Sequence, residues 1–189
     1  MYQSLFGDSR WFELLLKVDE DLATEARRAG CACGGALHSA RYERKPRGGP
    51  SGLGPASTVR FSFCCAKEGC RRRTTPRSLR FLGRKVFFGA LVLLLPVLRD
   101  GPTPERLDRL CERFSVSVRT VRRWCRFWRE TFVTSREWQA ARGLFATPVQ
   151  AEALPGSLLG AFSGISDIEG RVVAVLRLVS PGTQSVRAI

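Results

Sequence analysis

The chain has 189 residues, 44% hydrophobic and 25% charged, which suits one medium or two small folded domains and excludes a disordered polyelectrolyte. Lys and Arg number 31 against 17 Asp and Glu, giving a net charge of +14 and a pI near 10.7. That excess points to a polyanionic partner, with nucleic acid ahead of anionic lipid or an acidic protein.

In chain order, residues 1–30 come first. They lack the basic start and small-residue cleavage site of a secretory signal. Leu14, Leu15, Val18, Leu22 and Ala26 recur at three- and four-residue steps, so the pattern predicts an amphipathic helix over Trp11 to Ala29, ended by Gly30. Its acids make it a poor DNA contact, and docking or dimerisation is its expected use.

Residues 31–76 change character. The alternating stretches ALHSARY and STVRFSF predict two strands, joined by a flexible KPRGGPSGLGPAS loop. Val59, Phe61 and Phe63 share one face by period-two spacing. Cysteines flank this unit: Cys31 and Cys33 in CACGG, then Cys65 and Cys70 in CCAKEGC. Two thiolate pairs joined by strand, loop and strand describe a zinc ribbon, whose four ligands form the closed shell of a structural Zn2+. The spacing departs from the common two-residue knuckle, with one residue between the first pair and four between the second. Cys65 is preferred to Cys64 because it continues the Phe61–Phe63 face, and His38, the only histidine, is the fallback ligand. In a reducing compartment an odd set of seven cysteines reads as metal ligands or core thiols rather than disulfides.

Residues 77–133 predict helices near 84–99, 104–114 and 117–132. The run Val86 to Leu98 is the most apolar, yet it is too short for the roughly 20 residues of a membrane span and reads as a buried helix. Behind it, Leu107, Leu110, Phe114, Val116, Val121 and Trp124 take the apolar positions of a helix-turn-helix, with Cys111 where close approach demands a small side chain. Ser115 stands where glycine is usual. Ser117 is a predicted N-cap, and Arg119, Thr120, Arg122, Arg123 and Arg126 form a face suited to the major groove. The run holding Arg71, Arg72, Arg73, Arg77, Arg80, Arg84 and Lys85 is expected to contact phosphates, and RYERKPR offers a second such set. Residues 134–189 predict three further helices, near 135–144, 155–162 and 169–178. The fold class expected is mainly α with a small β zinc ribbon.

CACGGALHSARYERKPRGG, RFSFCCAKEGCRRRTTP and SLRFLGRKVFFGA, followed by a helix-turn-helix, resemble small bacterial proteins associated with mobile elements. Over roughly residues 25 to 145 the chain is similar to the DNA-binding front half of insertion-sequence transposases. That resemblance implies binding of double-stranded DNA beside a separately encoded transposase or recombinase, in the bacterial cytoplasm at the nucleoid. A catalytic half is not expected: the acids after Phe132 are Glu137, Glu152, Asp167 and Glu169, which form no metal constellation, and Tyr2 and Tyr42 are the only tyrosines. The chain reads as a binder rather than an enzyme, without a membrane partner and with a homodimer left open. A helix-turn-helix transcription regulator is one alternative, and an RNA-binding or assembly subunit of a nucleoprotein complex is another.

Overall fold

The computed structural model of the chain describes residues 8–47, 49, 52–82, 89 and 103–187. The helix expected over Val86 to Leu98 lies outside the described residues, Gly89 excepted, as do Arg84 and Lys85. Among the described residues helices predominate, with one four-stranded antiparallel sheet and a smaller two-stranded ladder.

Helix α1 (Ser9–Ala29) begins where the Asp8 carboxylate accepts the Arg10 amide at 2.9 Å. It ends at Gly30, whose φ of 70° suits a residue without Cβ. Its buried positions are Trp11, Phe12, Leu15, Asp19, Ala23 and Ala26, and Leu14, Val18 and Leu22 pack half-buried beside them. The stripe is therefore wider than the apolar pattern predicts, and it contains an acid. This stripe is used inside the chain. Trp11, Phe12 and Leu15 enter the large core, while Ala23 and Ala26 pack against Cys31, Leu37, Phe61, Phe63 and Cys65.

Strands β1 (Leu37–Ser39), β4 (Phe63–Cys65), β5 (Arg72–Thr75) and β6 (Gln184–Arg187) form the sheet in the order β1-β4-β5-β6. Leu37 lies opposite Cys65, Phe63 opposite Thr74 and Arg73 opposite Val186. Between β1 and β4, β2 (Tyr42–Glu43) pairs with β3 (Val59–Arg60), and a 3-10 turn at Pro55–Thr58 leads into β3. The alternation expected at Val59, Phe61 and Phe63 does not separate an inner face from an outer one. Arg60, Phe61, Ser62 and Phe63 are all buried. The tail differs too: helices alone are expected there, yet β6 adds a strand to β5 by pairing that no local pattern encodes.

Helices α2 (Pro104–Phe114) and α3 (Val118–Arg126) follow, and α3 runs on as a π-helical turn over Phe127–Phe132. That wider turn keeps Trp128 and Phe132 inside, with their rings edge-on at 4.9 Å. Helices α4 (Arg136–Ala141), α5 (Gly156–Ala161) and α6 (Ile168–Val179) match the three expected in the tail. Trp138, Leu158, Val172 and Leu176 share one core with Trp124 and Trp128.

A buried polar junction ties these parts together. The Asp19 carboxylate accepts from Ser78 Oγ at 2.5 Å, the Leu79 amide at 2.6 Å and Arg80 Nε at 2.9 Å. Arg80 also donates to the carbonyls of Ala56, Ser57 and Val59 at 2.9–3.0 Å. Nearby, Ser180 Oγ donates to the Ser78 carbonyl at 2.8 Å, which fastens the end of α6 to the same segment.

Candidate metal centre and basic helix face

Cys31, Cys33, Cys65 and Cys70 form the metal-ligand cluster found among the described residues, with all four sulfurs within 4.8 Å of one another. The sulfurs of Cys31 and Cys70 are 3.8 Å apart and those of Cys33 and Cys65 are 3.5 Å apart. A disulfide needs about 2.05 Å. A tetrahedron with metal–sulfur bonds of about 2.3 Å has edges of about 3.8 Å, so the spacing fits a four-thiolate metal ion.

The backbone explains how unequal spacers present four thiols. After Cys31 the chain turns tightly, with the Gly34 amide donating to the Cys31 carbonyl at 2.8 Å and Gly34 at a φ of 78°. Gly35 is required for room: a Cβ there would lie 2.6 Å from Cys65 Sγ and 2.9 Å from Lys67 Cβ. On the other side Cys65 closes β4, its sulfur accepting the Lys67 amide at 3.4 Å, and Gly69, at a φ of 76°, brings Cys70 round. The Gly35 amide foremost, then the thiols of Cys70, Cys65 and Cys31, hold the Cys33 thiol down to about 6. At Cys65 the Lys67 amide pulls downward, but burial and the thiols of Cys33, Cys31 and Cys70 push it up to about 12. The Cys33 and Cys65 thiols are thus pushed in opposite directions by the same cluster, and a bound dication would favour the thiolate form of its ligands.

The choice of Cys65 agrees with this geometry. Cys64 faces away, its sulfur near the Arg71 carbonyl at 3.7 Å. His38 sits opposite Cys64 in the β1–β4 register, exposed and outside the cluster. Phe61 and Phe63 are core residues, 4% and 6% exposed, and offer no face for base stacking. Burial pushes the thiols of Cys111 and Cys125 up, and neither belongs to the four-thiol cluster.

The second feature is the α2–α3 pair. At the end of α2, Ser115 takes the left-handed conformation, φ 47° and ψ 46°, at the position where glycine is usual. Ser117 Oγ then accepts the Thr120 amide and starts α3. Phe114, Val116, Val121 and Trp124 are buried, with Leu107, Leu110 and Cys111 packed half-buried against the same core. Arg119, Arg122, Arg123 and Arg126 are exposed on the opposite side, and Thr120 is half-buried with its hydroxyl 3.2 Å from Ser117 Oγ. Arg126 lies 3.8 Å from Glu130 in an exposed pair of little weight. Exposed Arg129, three positions beyond Arg126, extends the same cationic surface; its spacing was the available signal.

The basic run divides. Arg71 and Arg73 are exposed at the start of and on β5, where Arg73 donates to Ser62 Oγ at 2.9 Å and the Ala40 carbonyl at 3.1 Å. Arg72 is half-buried on the same strand. Arg77 is turned inward, donating to the carbonyls of Arg177 and Ser180 at the C-terminus of α6, where a cation complements the helix dipole. The phosphate role expected for Arg80 is corrected. Its side chain is fully buried, and all its hydrogen bonds go to Asp19 and to backbone carbonyls. A carboxylate sixty-one positions away captures it, and no local pattern announces that.

No family model, curated protein or solved structure matches the chain. Among the described residues no helix is long and apolar enough to cross a membrane.

Proposed function

We propose that the chain binds double-stranded DNA sequence-specifically, with α2 and α3 acting as a helix-turn-helix and residues 31–76 as a zinc ribbon. One observation carries this reading: α3 buries Val121 and Trp124 while exposing Arg119, Arg122, Arg123 and Arg126. A helix anchored on one side and cationic on the other is shaped to lie in a groove, with arginines reaching guanine edges or phosphates. The αL turn at Ser115 and the cap at Ser117 support the same assignment. The net charge of +14 supplies the sequence-independent attraction.

Zn2+ on Cys31, Cys33, Cys65 and Cys70 would be structural, because four protein ligands leave no open position for a reacting water. The role beside a transposase or recombinase rests on the resemblance to transposase front halves.

Duplexes selected from a random pool test the reading. Arg122→Ala and Arg123→Ala are expected to lose preference for the selected sequence, about 1–3 kcal/mol for a good bidentate contact. Neutralising Arg71 and Arg73 is expected to weaken selected and scrambled duplexes alike. Equal losses from both sets would refute the division. RNA competing as well as duplex DNA would favour a subunit of a nucleoprotein assembly instead.

A further inference from the structure

The strand region and the helix pair meet at an open cleft of about 490 Å³, lined in part by residues of the RYERKPR run. Arg44, Lys45, Arg47 and Thr58 line one side, and Phe114 and Ser115 line the other. No carboxylate is among the described lining residues. Arg44 is held in place from below: its guanidinium lies 4.9 Å from the Tyr42 ring centre and donates to the Tyr42 hydroxyl at 2.8 Å. The Arg44 amide donates to the Thr58 carbonyl at 2.9 Å, which fixes the two strands flanking the cleft. Lys45 and Arg47 are exposed.

Three cations set in a concave surface whose described lining holds no acid concentrate positive potential there. The far wall is the turn two residues before Ser117, the N-cap of α3. A recognition helix presents its N-terminal residues to the groove, so the turn ahead of it comes close to the flanking sugar–phosphate backbone. We propose that this cleft seats backbone phosphate of the same duplex that α3 reads, so that the strand region and the helix pair grip one DNA molecule together. The proposal rests on the DNA-binding reading and adds to it a place and a ligand chemistry.

The test compares the full chain with its Lys45→Ala/Arg47→Ala variant, whose altered side chains are exposed. Affinity for a selected and a scrambled duplex is measured over a range of salt concentrations. The logarithmic salt slope is expected to fall by about 0.9 for each phosphate that the variant no longer neutralises, with the preference for the selected duplex unchanged. If the parent chain binds duplex and the variant keeps its affinity and slope, the cleft holds no phosphate. A variant without sequence preference also overturns the proposal, since phosphate contacts carry no base information. If the parent chain binds no duplex at any salt, the DNA reading itself has failed.

Discussion

The region around the four cysteines and the helical body are held together by different forces. The helical body contains all four tryptophans, packed with Phe12, Phe114 and Phe132, and its stability comes from buried apolar area. Among the described residues the cysteine region packs Ala23, Ala26, Leu37, Phe61 and Phe63 around its thiols, with Leu16 half-buried beside them, which is little for strands of two to four residues. A segment with so small a core gains from a staple, and its four clustered thiols could hold a metal ion. The body is therefore expected to be insensitive to chelators, and the cysteine region to depend on metal.

The largest test of this contrast is metal removal, since structural zinc contributes about 10–16 kcal/mol in small zinc modules. With a strong chelator, amide exchange is expected to accelerate over residues 31–40 and 63–75 and to change little in α2 and α3. Equal acceleration in both would show one cooperative unit and end the comparison. Acid should act in the same direction. A depressed thiol pKa means that the fold favours the Cys33 thiolate; that stabilisation is full above the ordinary value of 9.0 and is lost as pH falls through about 6. Metal occupancy followed by direct metal analysis is accordingly expected to drop through that range.

Next in size is the junction between the regions. Arg80→Ala leaves Asp19 buried without its cation, and is expected to cost about 3–5 kcal/mol in denaturant unfolding. The Asp19→Ala/Arg80→Ala double variant should cost less than the sum of its parts, because the two act as a pair. Gly35→Ala is a local probe. Its methyl group would press on Cys65 Sγ and the Lys67 Cβ, so metal affinity should fall while the melting of the helical body stays put. The smallest effect expected is a gain. Ser115→Gly relieves a left-handed residue that costs an L-amino acid about 1–2 kcal/mol, less the added entropy of glycine, for a net stabilisation of about 0.5–1 kcal/mol in thermal melting.

The candidate metal ligands were legible in the sequence. Strand parity and the shorter spacer to Cys70 favoured Cys65 over Cys64, and glycines beside the cysteines marked where the chain turns. The α2–α3 pair was legible for the same reason: its buried positions, cap and turn are fixed by neighbours within a few residues. Arg80 shows where such reading stops. It sits in a run of arginines that looks uniformly solvent-facing, yet one of them is taken into the core by a carboxylate on another helix.

The sequence by itself determined the local units: α1 and its end, the four thiols, the apolar spacing of α2 and α3, and the basic surface of α3. These follow from short-range geometry, which a linear pattern records directly. Only the tertiary structure decided that α1 belongs to both cores, that residues 184–187 complete the sheet, and that Arg80 is structural while Arg73 faces solvent. Those outcomes depend on long-range pairing and on which polar groups lose their water together, and burial is a property of the assembled chain.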